Sequence, residues 1–320
     1  MMALDYTERD EYYFPFSAIV GHANLKRLLI HTLINKNIRS LLIVGESGTG
    51  KTTLIRALKN IMGEIQVITT CRFNCSPRWS EKNLCPECQE KKRLKMIESS
   101  SLTAPFIEIT PNIRIEALTG MIRINKDATF SYSPGLLASA NQGIIFAEKI
   151  DLFDTEIIDE LLAIAHRKKN IVMQLGEVYE HPVDVQLIFT HDGDSIDSLP
   201  DRIRDRLQII YTTEPVKDIE ERIAIVKRYT EFKRDAVEFS NRFRNEEKQL
   251  RIRISRASKI IGDIIIPDKI ESQAEAMLSD LKLKEKKDVF LELASANAAF
   301  NERKIVVGED LTETIMFVKR

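Results

Sequence analysis

Residues 41–53, LLIVGESGTGKTT, decide the fold of this chain. The apolar run 41–44 predicts a buried strand, and residues 53–60, TLIRALKN, predict the helix that follows it. Between them, residues 45–52 match G-x-x-x-x-G-K-[ST], the pattern of a phosphate-binding loop. A loop of this pattern binds phosphate when it joins a strand to a helix, as it does here. The sequence therefore predicts an α/β fold that binds a purine nucleotide.

The phosphate-binding loop offers three kinds of contact. Its glycines let the backbone turn tightly and point N–H groups inward, and the helix N-terminus adds a partial positive charge. Lys51 supplies a full charge for the β- and γ-phosphates, and the hydroxyl of Thr52 is a candidate ligand of Mg²⁺. The residues predicted to contact the nucleotide are Gly45, Glu46, Ser47, Gly48, Thr49, Gly50, Lys51, Thr52 and Thr53.

The composition suits a globular protein of about two domains. The chain has 320 residues, of which 43% are hydrophobic and 30% charged, with a formal net charge of -1. This balance gives no electrostatic reason to expect binding to nucleic acid or to an anionic membrane. No apolar run approaches the ~18 residues of a membrane span, and residues 1–13 lack the core of a signal peptide. We therefore expect a cytoplasmic protein without membrane insertion.

A second strand of the predicted site is residues 144–147, IIFA, which lead into Glu148 and Lys149. In a site that hydrolyses a nucleotide, two acids usually follow this strand: the first organises Mg²⁺ and the second polarises the attacking water. Glu148 is therefore the second candidate ligand of Mg²⁺, beside Thr52. Lys149 cannot act as a base while it is protonated.

Two further positions are candidates for contacts with phosphate. His191 and Asp192 follow a predicted buried strand at residues 185–190, at the edge where ligands gather in parallel sheets. Either side chain is a candidate sensor of the γ-phosphate, or else it merely caps the strand. Arg206 is one of three arginines at residues 202–206 and is a candidate to reach a neighbour's phosphate, the alternative being salt bridges at the surface.

The four cysteines occur together, as Cys71-x3-Cys75-x9-Cys85-x2-Cys88. Such clustering suits metal or redox chemistry in a reducing compartment better than a disulfide scaffold. Two pairs of thiolates can complete a tetrahedron around one metal ion, and Zn²⁺ is the simplest occupant. An iron–sulfur cluster is the second interpretation. Four reduced structural thiols are the third interpretation. The segment 71–88 is expected to be an insertion in the α/β domain.

The rest of the chain divides at about residue 215. Residues 171–175 and 177–181 predict a hairpin around Gly176, and residues 209–211 predict the last strand. After Pro215 the pattern is helical only. The expected organisation is an N-terminal arm at 1–13, an α/β domain at 14–214 and a helical domain at 215–320. The predicted helices of the last domain are 218–232, 236–262, 268–281 and 289–300.

The chain resembles the AAA+ ATPase subunit of magnesium chelatase, the I subunit, and the wider chelatase group of AAA+ proteins. The resemblance extends over nearly the whole chain from residue 14, in several blocks that occur in the family's order. Besides the cysteine segment, the blocks are FPFSAIVGH at 14–22, VGESGTGKTT at 44–53, YSPGLLASANQGIIFAEKIDLFD at 132–154, HPVDVQLI at 181–188, DIEERIAIVKR at 218–228 and IIPD at 265–268.

The resemblance implies a three-layer αβα nucleotide-binding domain followed by an all-helical lid, with ATP and Mg²⁺ as cofactors. It also implies a ring, expected to be a hexamer, of this chain alone or mixed with a paralogous AAA+ subunit. The implied partner is a second subunit with an integrin-type domain, and the implied process is insertion of a metal into a tetrapyrrole. The hairpin at 174–181 corresponds to one of the family's insertions, which face partner subunits.

The sequence departs from the family pattern where hydrolysis takes place. The family strand ends in Asp-Glu where this chain has Glu148-Lys149, and the polar sensor, an Asn in the family, falls at Asp192. The arginine finger falls at Arg206, whereas residues 291–295, where a lid arginine is expected, contain none. The favoured hypothesis is an AAA+ subunit that binds ATP–Mg²⁺ but hydrolyses it weakly or not at all. The alternatives are a working ATP hydrolase, in which Asp151 or Asp192 replaces the missing acid, and a scaffold that responds to metal or redox state.

Overall fold

The computed structural model describes residues 12–193, 196–197 and 199–319. Of the predicted N-terminal arm, residues 1–11 therefore lie outside the described residues. The strands of the described part are β1 (Ser40–Gly45), β2 (Glu64–Ile68), β3 (Ser99–Thr103), β4 (Phe106–Ile109), β5 (Met121–Ile124), β6 (Phe130–Ser133), β7 (Ile144–Ala147), β8 (Lys169–Gln174), β9 (Glu177–Pro182), β10 (Gln186–Asp192) and β11 (Ile209–Thr212).

The described part of the chain also contains thirteen α-helices. None of them combines the length and the apolar content that a membrane crossing requires. The helices are α1 (Ala23–Ile34), α2 (Lys51–Arg56), α3 (Leu58–Ile61), α4 (Pro86–Arg93), α5 (Ile115–Thr119), α6 (Leu136–Ala140), α7 (Thr155–Arg167), α8 (Asp201–Arg204), α9 (Ile219–Arg234), α10 (Ala236–Ile260), α11 (Asp268–Asp280), α12 (Lys287–Phe300) and α13 (Gly308–Thr314).

Five strands form a parallel sheet in the order β11-β1-β10-β7-β4. A parallel sheet is covered by helices on both faces, so its strands are apolar throughout, and every residue of β1 and β7 is buried. Alternate residues of β1 enter different cores: Leu41 and Ile43 pack in one, Leu42 and Val44 in the other. The result is three layers, with the carboxyl ends of the strands at one edge.

The helices α10, α11 and α13 pack against α12, which is buried along most of its length, and α9 packs against α10. Phe290 and Leu293 of α12 belong to the same core as Leu28 and Leu29 of α1. The helical part is thus continuous with one face of the sheet. The four helices predicted from the sequence correspond to α9, α10, α11 and α12.

Two antiparallel hairpins lie outside the five-stranded sheet. The predicted hairpin around Gly176 is confirmed as β8 paired with β9. The hairpin β5–β6 and the pair β2–β3 were not expected from the sequence. The helix α4 begins at Pro86, inside the cysteine segment, and contains Cys88. Proline fits the first turn of a helix, where its missing N–H has no partner to lose.

Candidate nucleotide-binding site

The loop after β1 has the backbone that a phosphate cradle requires. Gly48 and Gly50 have φ of 82° and 86°, in the left-handed region that favours glycine, and an added Cβ at either would have no atom within 4 Å. These two glycines are therefore needed for conformation, and the space beside them is open. At Gly45, by contrast, a Cβ would lie 2.7 Å from the carbonyl oxygen of Thr213. The open, turned loop fits a phosphate chain.

Lys51 is fixed beneath this loop. Its side chain is almost fully buried, and its Nζ donates to the carbonyl oxygens of Gly45 and Glu46, both at 2.7 Å. The same Nζ lies 3.0 Å from Oδ1 of Asp192. A buried ammonium needs such partners, and a phosphate oxygen would be an additional one. Of the other residues predicted to contact the nucleotide, Glu46, Ser47 and Thr53 are exposed, whereas Thr49 is half-buried and its hydroxyl donates to the carbonyl oxygen of Glu46 at 2.9 Å.

Thr52 and Glu148 meet at the edge of the sheet. The Thr52 hydroxyl donates to Oε1 of Glu148 at 2.5 Å, and the second carboxylate oxygen lies 3.3 Å from Nη2 of Arg56. Arg56 also binds Glu108 through two of its nitrogens. A hydroxyl and a carboxylate that converge in this way are the oxygen ligands that Mg²⁺ takes beside phosphates. The two residues named as magnesium ligands from the sequence therefore fit that ion.

Lys149 and Asp192 form the polar side of the site. Lys149 adopts a left-handed backbone conformation, with φ of 60°, and its N–H donates to Oγ1 of Thr190 at 3.0 Å. Its Nζ lies 3.4 Å from Oδ2 of Asp192, so that each oxygen of this carboxylate is paired with a different lysine. Burial acts to raise the pKa of Asp192, but Lys51 and Lys149 outweigh it and hold the pKa below its usual value.

His191 lies on the other side of β10 from Asp192, as alternation along a strand requires. Its ring is buried, and Nδ1 lies 3.0 Å from Oδ1 of Asp151. Of the two candidate sensors, the structure thus brings Asp192 to Lys51 and joins His191 to Asp151. Both acids that were candidates to replace the missing one, Asp151 and Asp192, have partners of their own.

Arg206 lies just beyond α8, with a partly exposed side chain. Its Nη1 lies 3.2 Å from Oδ1 of Asp159 on α7, and Nε of Arg202 lies 3.1 Å from the other oxygen of the same carboxylate. Asp159 therefore positions both arginines at the surface. The pairing with Asp159 does not test whether Arg206 reaches the nucleotide of a neighbouring subunit, so that role stays a prediction.

The comparison with known protein families fits this site. Residues 15–196 match the family described as magnesium chelatase, subunit ChlI, a span that contains the phosphate-binding loop, Glu148 and Asp192. The chain belongs to this family. A magnesium-chelatase subunit ChlI homolog of Methanocaldococcus jannaschii is 31% identical over 95% of this chain and 84% of its own length. The magnesium-chelatase subunit ChlI of Cyanidium caldarium is 29% identical over 98% of this chain and 90% of its own.

A solved structure shares the fold of this ChlI family member. A chain from the complex between subunits BchI and BchD of magnesium chelatase superposes with a TM-score of 0.56, covering 95% of this chain and 99% of the other. At 21% identity this likeness concerns the fold alone. It confirms the predicted fold class, a P-loop AAA+ α/β domain followed by a helical lid.

Sequence analysis missed two residues of the site in this ChlI family member. Arg56 follows Thr52 by four residues on one helix, a spacing that places both on one face, so the signal was present. His22 lies beside the loop: its Nδ1 is 3.1 Å from Oγ1 of Thr213, and its left-handed backbone has φ of 52°. Burial lowers the pKa of His22 although the Thr49 backbone acts against it. No local pattern predicts this contact.

The cysteines of the ChlI family member converge as the spacing predicted. Their four Sγ atoms all lie within 4.8 Å of one another, and Cys75, Cys85 and Cys88 are buried. All four are free thiols, and the Sγ atoms of Cys71 and Cys85 lie 3.9 Å apart. The spacing therefore brought together a set of donors that fits a metal ion.

Proposed function

We propose that this ChlI family member is a nucleotide-binding AAA+ subunit that binds ATP with Mg²⁺ and hydrolyses it slowly or not at all, and so acts as a scaffold or regulatory subunit of a ring. One observation carries the proposal. Lys149 follows Glu148 where the family pattern has the water-polarising acid, and the ammonium of Lys149 is paired with Asp192.

Binding is supported by groups already in place. Lys51 is held beneath an open loop, and the Thr52 hydroxyl and Glu148 carboxylate converge at the same edge. Mg²⁺ bound there would neutralise phosphate charge. Lys149 adds a second positive charge beside Asp192, which favours a polyanion. Binding thus keeps its parts while the base is replaced.

Slow hydrolysis is supported by the ion pairs and the lowered pKa of Asp192, whose carboxylate lies beside Lys51. Both of its oxygens are paired with ammonium groups, and its pKa is lowered. A carboxylate with a low pKa is a weak base, and a positioned general base typically contributes about 10²–10⁴ in rate. Without another base, this chain would position its nucleotide but not activate water.

A working chelatase motor is the alternative function. Asp151 favours it, because a carboxylate bonded to Nδ1 of His191 is an arrangement that bases in enzymes use. His191 is, however, nearly fully buried, and it lies on the face of β10 opposite to Asp192. In this alternative the chain would be an ATP hydrolase that drives metal insertion into a tetrapyrrole.

Steady-state ATP turnover separates the two functions. We expect the wild-type chain to bind ATP but to turn over far below about one per second, the lower range of typical enzymes. Lys149→Glu supplies the missing acid and should raise turnover at least about tenfold. The matched control Lys149→Gln removes the same positive charge without supplying a base and should not raise it. Brisk turnover by the wild type that vanishes in Lys51→Ala would refute the proposal.

We also propose that the chain forms a ring, as a hexamer of its own copies or with a paralogous AAA+ subunit, and meets an integrin-domain partner. The comparison structure, in which BchI is complexed with BchD, supports assembly with a second subunit. The tip of hairpin β8–β9 exposes apolar side chains, Met173, Leu175 and Val178, which suit a protein contact. Native mass spectrometry with and without ATP would test the ring; a monomer under both conditions would refute it.

A further inference from the structure

The arrangement of the four thiols fits one metal ion. Zn²⁺ with Zn–S bonds of about 2.3 Å in a tetrahedron places sulfurs about 3.8 Å apart. The Sγ atoms of Cys71 and Cys85 are 3.9 Å apart, and no pair exceeds 4.8 Å. A disulfide would need about 2.05 Å. An iron–sulfur cluster binds its cysteines through different iron atoms, which spreads the sulfurs more widely.

Backbone N–H groups point at the sulfurs. The N–H groups of Phe73 and Cys75 donate to Sγ of Cys71 at 3.4 and 3.5 Å, and that of Cys85 donates to Sγ of Cys75 at 3.4 Å. Such bonds stabilise a thiolate, which is the form that ligates metal, and they orient it. Four thiolates this close would repel one another unless a cation lay between them.

The first cysteine pair is packed against both hairpins. Phe73 lies between Cys71 and Cys75 in sequence, and its ring stacks on His181 of β9, with centroids 4.5 Å apart. Tyr132 of β6 stacks in turn on Tyr179 of β9 at 4.0 Å. The buried cysteines share one small core with residues of both hairpins, among them Ile122 and Val172.

The same segment is bonded to the start of β7. Asn141 donates through Nδ2 to the carbonyl oxygen of Phe73 at 2.6 Å, and its Oδ1 accepts from the N–H of Asp184 at 2.7 Å. Gln142 donates to the carbonyl oxygen of Asn74 at 2.7 Å. The loop of the first cysteine pair thus connects the hairpins with the chain that leads into β7.

We propose that Cys71, Cys75, Cys85 and Cys88 bind one Zn²⁺ ion, and that this ion fixes the joint between the cysteine segment and the hairpins β5–β6 and β8–β9. The core at this joint is small, with ten buried residues of which three are the cysteines themselves, so a metal supplies rigidity that packing alone does not. Zinc has no redox chemistry and closes a four-sulfur site, which suits a structural role. The proposal does not depend on nucleotide binding or hydrolysis.

Metal analysis of the purified full-length chain tests the site. We expect about one equivalent of zinc per chain to remain after gel filtration, and to be absent from the double variant Cys85→Ser, Cys88→Ser. The control Ser80→Ala changes an exposed residue of the same segment and should keep its zinc. Iron at one equivalent, a disulfide in the intact mass of the unreduced protein, or no metal after growth with added zinc would each overturn the proposal.

Hydrogen exchange tests the joint, and it uses the wild-type chain, so it does not depend on whether the double variant folds. Removal of zinc with a chelator should speed amide exchange in both hairpins at least about tenfold and leave β1 unchanged. Phe73→Leu keeps all four thiols but removes the ring that stacks on His181; it should retain zinc and still speed exchange in the hairpins. If zinc leaves without any change in hairpin exchange, the structural role is refuted.

Discussion

At the scale of the single residue, Asp192 limits the positive charge that the site offers to a nucleotide. Its carboxylate occupies the space between the ammonium groups of Lys51 and Lys149, at 3.0 and 3.4 Å. An incoming phosphate needs the same ammonium of Lys51 and is repelled by the same carboxylate. Asp192 therefore competes with the nucleotide for the charge that the loop provides.

The substitution Asp192→Asn should tighten ATP binding. It keeps the size of the side chain and removes the negative charge, so Lys51 becomes available to the phosphates. We expect the Kd for ATP–Mg²⁺ to fall about tenfold, which corresponds to about 1.4 kcal/mol. Isothermal titration calorimetry measures this change. Asp127→Asn, which removes an exposed acid in the turn of β5–β6, should leave Kd unchanged. Weaker binding by Asp192→Asn would contradict the competition.

At the scale of the element, the start of α13 depends on one buried acid. Asp310 is fully buried; its two oxygens accept from Arg303 at 2.6 and 2.7 Å and from the N–H of Val307 at 2.9 Å. Asn297 of α12 donates to the same carboxylate at 2.8 Å. This one side chain thus satisfies the helix N-terminus and joins α13 to α12.

Loss of this acid should destabilise the lid. Asp310→Ala leaves Arg303, Asn297 and the Val307 N–H without their acceptor, while Arg303 regains some hydration because it is partly exposed. We expect a loss of about 2–3 kcal/mol in the free energy of unfolding. Urea denaturation followed by circular dichroism measures it. Glu309→Ala, at the exposed neighbouring position, should cost less than about 0.5 kcal/mol. Equal losses in the two variants would contradict the role of Asp310.

Elements with a local signal were predictable, and those formed by distant contacts were not. The hairpin β8–β9 has Gly176 at its turn, with φ of 80°, and a glycine between two short strand patterns is a local signal of a hairpin. Hairpin β5–β6 has strands of four residues, and a distant contact holds it: the Tyr132 hydroxyl donates to the Thr119 carbonyl at 2.5 Å. The seven-residue α13 is too short to show a clear helical period, and its start depends on the contact of Asp310 with Arg303, which lies outside the helix. No period in the sequence reports such contacts.

The candidate site divides in the same way. The motif predicted Lys51 and Thr52, and the hydrophobic strand predicted Glu148, because each follows from a local pattern. The sequence could not decide between His191 and Asp192, since that choice depends on which face of β10 meets Lys51. The ion pairs of Arg56 with Glu108 and Glu148 form because β4 and β7 are neighbours in the sheet, and the strand order cannot be read from the sequence.

At the scale of the whole molecule, α1 joins the two parts of the chain. Its residues Leu28 and Leu29 share a core with β1 on one side and with α12 on the other. Arg27 of the same helix pairs with Glu313 of α13 at 2.6 Å. Because one core spans the sheet and the lid, a polar group buried in it affects the stability of both.

His31 of α1 is such a group. Its ring is nearly fully buried, 5.9 Å from the ring of Phe317, and its Nδ1 has no hydrogen-bond partner among the described residues. Burial, and then the charge of Arg27, lower the pKa of His31 to about 3, although Asn297 and Asp310 act against the shift. The folded chain therefore keeps His31 neutral at a pH where the unfolded chain protonates it.

This difference predicts a loss of stability on acidification. Between the ordinary pKa of 6.5 and about 3, the unfolded state binds one more proton at His31 than the folded state, so stability rises with pH and falls as pH falls. Each such histidine contributes about 1.4 kcal/mol per pH unit, or about 2 kcal/mol between pH 6.5 and 5. His181, whose burial lowers its pKa to about 4, adds to the same loss.

The variant His31→Leu should therefore lose about 2 kcal/mol less than the wild type when the pH falls from about 7 to about 5. Leucine suits the apolar surroundings, and it removes the proton site that distinguishes the two states. Urea denaturation at both pH values measures the difference within each protein, so the cost of the substitution itself cancels. His166→Gln, at an exposed position of α7, is the matched control and should respond to pH as the wild type does. If His31→Leu loses as much stability as the wild type, the neutral histidine is not a source of the acid sensitivity, and the carboxylates paired in the lid and at the loop become its cause.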